Sequence, residues 1–142
     1  MHARRTMPPL IAGPEDRMAK SPPSRTSKRD LKPQIRVMFR KAIAMGPGKA
    51  DLLRAIDETG SISAAARKME MSYRRAWLLV DTMNQAFKSP VVVTLTGGKA
   101  GGGAAVTDFG KEVLQRYSAM EAKASASVAR ELRSFTEMMS GS

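Results

Sequence analysis

The spacing of hydrophobic positions divides the chain into short segments of different period. Apolar residues recur at every second position of residues 35–40, which is the period of a half-buried strand. A turn containing glycine and proline follows at 45–48. Residues 49–59 then carry apolar side chains at helical spacing and stop at Gly60, a typical helix C-cap. The sequence therefore predicts a strand followed by a first helix.

Two further helices follow after short breaks. Ser61 is a natural N-cap for a short helix that ends near Met69, and its small residues at 64–66 permit close approach of a neighbouring backbone. After a three-residue break, Ser72 can cap a longer helix that keeps one side apolar as far as about Phe87. The two helices are thus predicted to be joined by a tight turn.

A hairpin and a long helix complete the pattern. Residues 91–95 are β-branched enough for a strand, and 105–107 can return as its partner after a stretch with five glycines and Lys99. From Asp108, the expected N-cap, apolar residues are spaced by threes and fours over about 45 Å of uninterrupted helix at 1.5 Å per residue. A small domain covers only the first turns of such a helix, so we expect the same stripe on a second copy to cover the rest, in a homodimer.

The amino-acid composition limits which binding partners and which kinds of catalytic or metal site are possible. The 142 residues leave room for one ordinary domain with extensions, and a net charge of +11 favours a polyanion, with nucleic acid ahead of an acidic membrane. There is no cysteine, and the single histidine is His2, so thiolate metal sites, thiol nucleophiles and histidine triads are excluded. The acidic residues are scattered without an apolar setting that would raise a pKa. We expect no enzyme activity, no metal and no cofactor, and a cytoplasmic protein without a membrane span.

The order of elements is that of a winged helix-turn-helix, mainly α with a small β-hairpin, followed by a long C-terminal dimerisation helix. The expected division is a disordered basic arm over 1–34, a DNA-binding domain over 35–107 and the dimerisation helix and tail over 108–142. The arm holds six of the eight prolines, and it has eight basic residues against three acidic ones. Two interpretations stay open: the arm lies along the phosphates of a nucleic acid, or its charge only aids solubility.

The first turn of the second helix of this motif enters the major groove, and here it reads Ser72-Tyr73-Arg74-Arg75. Two arginines are locally unfavourable there, because a helix N-terminus carries about +0.5 charge. A DNA phosphate or the edge of a guanine base makes the same position favourable for arginine, because each accepts hydrogen bonds from the guanidinium group. The alternative is a basic helix start that contacts only solvent.

The candidate residues differ in their expected roles. Tyr73, Arg74 and Trp77 lie on or beside the face opposite the apolar stripe and are base-edge candidates, although a lone tryptophan is more often a packing residue. Arg75 is expected to bind the DNA backbone, and Lys99 on the glycine-rich wing to reach a phosphate or a groove, a plain mobile hairpin being the alternative. No P-loop is present, because alanine follows Lys99. The complete DNA-binding prediction is Ser61, Ser63, Ser72, Tyr73, Arg74, Arg75, Trp77 and Lys99.

Several motifs in residues 35–120 together closely resemble the DNA-binding domain of the ModE family, the bacterial molybdate-responsive regulators, and more distantly LysR-type regulators. They are SISAAA, MSYRRAW, TGGKAGGG and the TDFG that opens the last helix. The resemblance implies a dimeric winged helix-turn-helix on a palindromic operator, with Tyr73, Arg74, Arg75 and Lys99 at the family's DNA-facing positions.

Full-length ModE proteins also carry C-terminal oxyanion-binding modules, whereas this sequence stops at Ser142 within the last helix. We therefore expect a nucleoid-associated, sequence-specific transcriptional regulator that lacks an oxyanion-sensing domain and binds double-stranded DNA but no small molecule. An architectural DNA-binding protein of low sequence specificity is the alternative. The target genes, the operator and the sign of regulation are not encoded in these patterns.

Overall fold

The computed structural model describes residues 31–96 and 103–141, and this part of the chain contains five helices and two antiparallel strand pairs. The elements follow one another as β1 (Val37–Phe39), β2 (Ala42–Met45), α1 (Pro47–Thr59), α2 (Ile62–Lys68), α3 (Tyr73–Ala86), β3 (Val92–Leu95), β4 (Gly103–Val106), α4 (Asp108–Ser127) and α5 (Ala129–Thr136). None of these helices combines the length and hydrophobicity needed to cross a membrane.

The first strand is paired, which the sequence pattern does not predict. β1 and β2 run antiparallel with Phe39 opposite Ala42, so Arg40 and Lys41 form a two-residue turn in which Arg40 has a φ of 60°. The expectation of a single small hairpin is therefore wrong. Phe39 is 46% exposed and departs from the half-buried pattern, because it lies at the end of the pair beside the turn.

The three predicted helices are present, and their capping residues are confirmed. α1 starts two residues earlier than expected, since proline is well suited to the first turn of a helix. Gly60 ends it in the left-handed region with a φ of 76°, and its N–H donates to the carbonyl of Ile56. The Ser61 hydroxyl accepts from the N–H of Ala64 at 2.9 Å, and that of Ser72 accepts from the N–H of Arg75 at 3.1 Å.

The core lies where α1, α2 and α3 meet the second strand pair and the first turns of α4. Two of the three small residues predicted to permit close approach on α2 are nearly inaccessible, Ala65 at 0% and Ala66 at 3% exposed, whereas Ala64 is half-buried. Other buried members are Met45, Leu52, Leu53, Ile56, Val80, Met83, Val91, Val92, Val106 and Tyr117.

The second strand pair begins and ends differently from the prediction. β4 starts at Gly103, and Thr107, expected to be its last residue, is instead the N-cap of α4. Asp108 is therefore not the cap. The Thr107 hydroxyl accepts from the N–H of Gly110 at 2.9 Å and donates to the carbonyl of Pro90 at 2.7 Å, so it joins both ends of the hairpin to α4.

The predicted uninterrupted final helix is wrong. Helical geometry breaks at Val128, with φ −114° and ψ 17°, and resumes as α5, which has no buried residue. The break follows Ser125 and Ser127, whose type competes with helix bonding, and the Ser127 hydroxyl donates to the carbonyl of Ala124 at 3.0 Å. Without tertiary packing to override these preferences, the helix is interrupted.

Candidate functional site

The candidate site is built on α2, the following turn and α3. The turn after α2 closes with two backbone bonds, from the N–H of Met71 to the carbonyl of Ala66 at 3.0 Å and from the N–H of Glu70 to that of Arg67 at 3.1 Å. This is the Schellman arrangement, and Glu70 takes its left-handed position with a φ of 59°. The turn is thereby fixed by backbone bonds, and it delivers Ser72 to the start of α3.

Arg74 and Arg75 lie in the first turn of α3 with exposed side chains. Within residues 31–96 and 103–141, neither guanidinium takes part in an ion pair or a side-chain hydrogen bond. The segment 61–88 holds five basic and two acidic residues, a net of 5 − 2 = +3. The two cations therefore add to the positive end of the helix dipole without a compensating acid.

Four other surface cations lie beside acidic side chains. Lys68 pairs with Glu58, Lys111 lies 3.8 Å from Asp57, Arg116 is 2.7 Å from Glu112, and Arg54 is 3.0 Å from Asp51. Arg74 and Arg75 lack such a partner in the described part of the chain, as do Arg67 on α2 and Lys123 on α4, so it is their place in the first turn of α3 that sets them apart from those two.

Tyr73 is half-buried and packs against the core, and burial raises the pKa of its hydroxyl. The Tyr73 ring therefore has a structural role, and this role does not depend on which group its hydroxyl contacts.

Trp77 is also half-buried, and its Nε1 is inaccessible and has no hydrogen-bond partner in the described part of the chain. The only polar atom of this side chain is withdrawn from the surface, which favours the packing alternative over contact with a base edge.

The three serines occupy two kinds of position. The hydroxyls of Ser61 and Ser72 are engaged as N-caps of α2 and α3, whereas Ser63 is exposed on α2. Lys99 lies outside the described residues, as do residues 1–30 of the arm that is predicted over 1–34.

Asn84 is a residue of the site region that the sequence pattern does not reveal. Its Oδ1 accepts from the N–H groups of Val91 at 2.8 Å and Val92 at 3.2 Å, and its Nδ2 donates to the carbonyl of Val92 at 3.0 Å. These bonds join α3 to the start of β3. From sequence alone, an asparagine within a helix is expected to lie at the surface. Only the folded structure identifies its contact with β3.

Buried charge lies elsewhere, at the start of α1. Lys49 is 8% exposed, its Nζ donates to the carbonyl of Ile43, and burial lowers its pKa. Among the described residues no three histidine or acidic side chains are grouped as metal ligands would be. The chemistry that the α2–α3 region offers is therefore electrostatic and hydrogen-bonding.

Comparison with known proteins gives relatives that are longer than this chain. MopB of Rhodobacter capsulatus, a molybdenum-pterin-binding protein, is 45% identical over 103 residues, 72% of this chain and 37% of MopB. The molybdenum transport protein ModE of Azotobacter vinelandii is 36% identical over 98 residues, 69% of this chain and 36% of that protein. ModE of Escherichia coli K12, a DNA-binding transcriptional dual regulator, is 41% identical over 71 residues, 50% of this chain and 27% of that protein. No protein-family model matches the chain.

These relatives correct one expectation. From the sequence we expect no small-molecule ligand, yet a relative at 45% identity is named for binding a molybdenum pterin. The prediction is wrong because it took the end of the chain as a sign that no ligand is sensed. The relatives bear the names of regulators, a transport protein and a molybdenum-pterin-binding protein. Over about two thirds of its length, the chain is related to the ModE family.

Proposed function

We propose that this chain is a DNA-binding transcriptional regulator of the ModE type, which acts in the cytoplasm on an inverted-repeat operator as a homodimer. In this proposal α2, the turn and α3 form the helix-turn-helix, and β3–β4 is the wing. The observation that carries it is the pair of exposed, unpaired arginines at the start of α3. Folding alone disfavours cations there, whereas a guanine edge or a phosphate turns the same position into an attractive one.

The two arginines are proposed to do different work. Arg74, on the face away from the core stripe, binds a base edge, and Arg75, nearer the core, binds a phosphate. Bidentate arginine contacts to guanine give about 1 to 3 kcal/mol of discrimination each, whereas phosphate contacts give affinity without sequence preference. Ser61, Ser63, Ser72 and Lys99 are proposed as additional backbone contacts, with Tyr73 and Trp77 mainly supporting α3.

The experiment is selection of binding sites from random duplexes, followed by affinity measurement at several salt concentrations. Arg74→Ala is expected to lose base preference at one position of each half-site. Arg75→Ala is expected to weaken all sites alike and to reduce the salt slope by about 1. Arg133→Ala, an exposed arginine on α5, is the matched control and should change neither quantity.

The same measurement separates a regulator from an architectural protein. Operators exceed non-specific DNA by about 10³-fold or more in affinity. A ratio near one for the best selected sequence would contradict the regulator and support an architectural role for the same surface.

A ligand is part of this proposal. The name of MopB supports a molybdenum-containing small molecule as the ligand class. Calorimetric titration of the protein with sodium molybdate, and separately with a molybdenum pterin, is expected to give saturable heat for one of them. Absence of binding in both titrations would refute this part of the proposal.

A further inference from the structure

The β3–β4 hairpin is attached to the helices at a point that glycine alone permits. The carbonyl of Gly60 accepts a hydrogen bond from the N–H of Ala104 at 2.9 Å. Gly60 ends α1 with a φ of 76° and is followed at once by Ser61, the N-cap of α2. The bond therefore joins β4 directly to the junction between α1 and α2.

Gly103 allows this approach. A Cβ at position 103 would lie 2.7 Å from the Gly60 oxygen, which is a backbone atom and has no freedom to rotate away. Any other residue at 103 must displace the strand from the helix junction. We name this contact of Gly60 with Gly103 and Ala104 the glycine joint.

The joint acts far from the other anchor of the hairpin. Gly103 is paired with Leu95 at one end of the ladder, whereas Asn84 holds Val91 and Val92 at the opposite end. One strand is thus tied to α3 and the other to the α1–α2 junction. A two-stranded ribbon is marginal by itself, so its orientation depends on such attachments, and the glycine joint is the one at the Leu95–Gly103 end, away from Asn84 and Thr107.

We propose that Gly60 and Gly103 are positioning residues for DNA recognition: the glycine joint holds the β3–β4 hairpin at the angle at which the hairpin and α3 meet the same duplex. This inference rests on the proposed function. Binding groups must be held within about 0.5 Å of productive geometry by the shell that supports them. A displaced hairpin would lose its phosphate contacts while α3 keeps its base contacts.

The test compares Gly103→Ala with Gly48→Ala in the full chain. Gly48 is the matched control because a Cβ there meets nothing within 4 Å. Amide hydrogen exchange is measured first, without DNA. Gly103→Ala is expected to exchange the Ala104 amide at least about tenfold faster, while the amides of Leu53 and Val80 stay protected; Gly48→Ala leaves all three unchanged. If the Ala104 amide is equally protected in Gly103→Ala, the claim that Gly103 is needed for the Ala104–Gly60 hydrogen bond is wrong.

DNA binding is the second readout. Gly103→Ala is expected to bind the selected site about tenfold more weakly and to lower the salt slope by about 1 to 2, with base preference unchanged. A general loss of structure would instead reduce base preference as well, and an unchanged affinity would refute the positioning role. If the wild-type protein binds no DNA, the proposed function fails, and the exchange experiment still decides whether the joint fixes the hairpin.

Discussion

Tyr117 shows how one side chain joins distant parts of the chain. It is 2% exposed, and its hydroxyl donates to the carbonyl of Ile35 at 2.6 Å and lies 3.1 Å from Oε2 of Glu121. Burial, the hydrogen bond to Glu121 and the charge of that residue raise the pKa of Tyr117 to about 12. The native state therefore favours the neutral phenol.

This pKa gives a stability change with a defined sign. The unfolded tyrosine ionises near pH 10.0, so its contribution is complete below that pH and falls between about pH 10 and 12, by about 2 to 3 kcal/mol in total. Tyr117→Phe is expected to lack this fall and to be about 1 kcal/mol less stable at pH 7. Urea unfolding of both proteins from pH 7 to 11.5 measures it. Parallel pH curves would contradict the assignment.

Asn84 carries a second prediction at this scale. Asn84→Ala removes three hydrogen bonds and leaves two backbone N–H groups at the start of β3 without their acceptor. The free energy of unfolding should fall by about 2 kcal/mol. Gln85→Ala is the control, because the exposed Gln85 side chain donates to Asp81 one turn earlier on α3 and, within the described residues, makes no hydrogen bond to β3. Equal stability of the two variants in urea would show that the Asn84 bonds contribute little.

At the scale of elements, the C-terminal ends of α1 and α2 show how residue type and backbone conformation are related. Gly60 has the residue type that its left-handed geometry favours, but Glu70 takes a φ of 59° with a side chain present. Left-handed geometry costs about 1 to 2 kcal/mol for residues with a Cβ.

Two substitutions at position 70 isolate that cost. Glu70→Gly and Glu70→Ala both remove the carboxylate, but only glycine relieves the strain, so the glycine variant should be about 1 kcal/mol more stable. Thermal unfolding at pH 7 compares them. An alanine variant as stable as the glycine variant would mean that the turn relaxes out of the left-handed region.

At the scale of the whole molecule, some large apolar side chains of α4 and α5 lie outside the core and are exposed. Tyr117 is buried within the chain, whereas Met120 is 45% and Phe135 54% exposed further along α4 and α5. We propose that these residues belong to the homodimer contact, because solvent-exposed aromatic and methionine side chains gain most by meeting a second copy.

Sedimentation equilibrium tests this contact. The wild-type protein is expected at twice the chain mass of 15.4 kDa, and Phe135→Lys at the monomer mass. Ser134→Lys adds the same charge at an adjacent exposed position and should stay dimeric. A monomeric wild-type protein, or a dimeric Phe135→Lys, would rule out Phe135 as a dimer residue.

The sequence by itself determines the helices around the candidate site and their caps, because periodicity, serine caps and Gly60 act over a few residues. It also determines the positions of Arg74 and Arg75. Tertiary structure alone decides the β1–β2 pair, the bonds of Asn84, the close approach at Gly103 and the burial of the Trp77 nitrogen. It also leaves α5 without a buried residue, and the last helix breaks before it, at Val128. The bonds of Asn84 and the approach at Gly103 depend on partners that lie between 7 (91 − 84) and 44 (104 − 60) positions away along the chain, and no local pattern encodes which backbone atom will lie opposite.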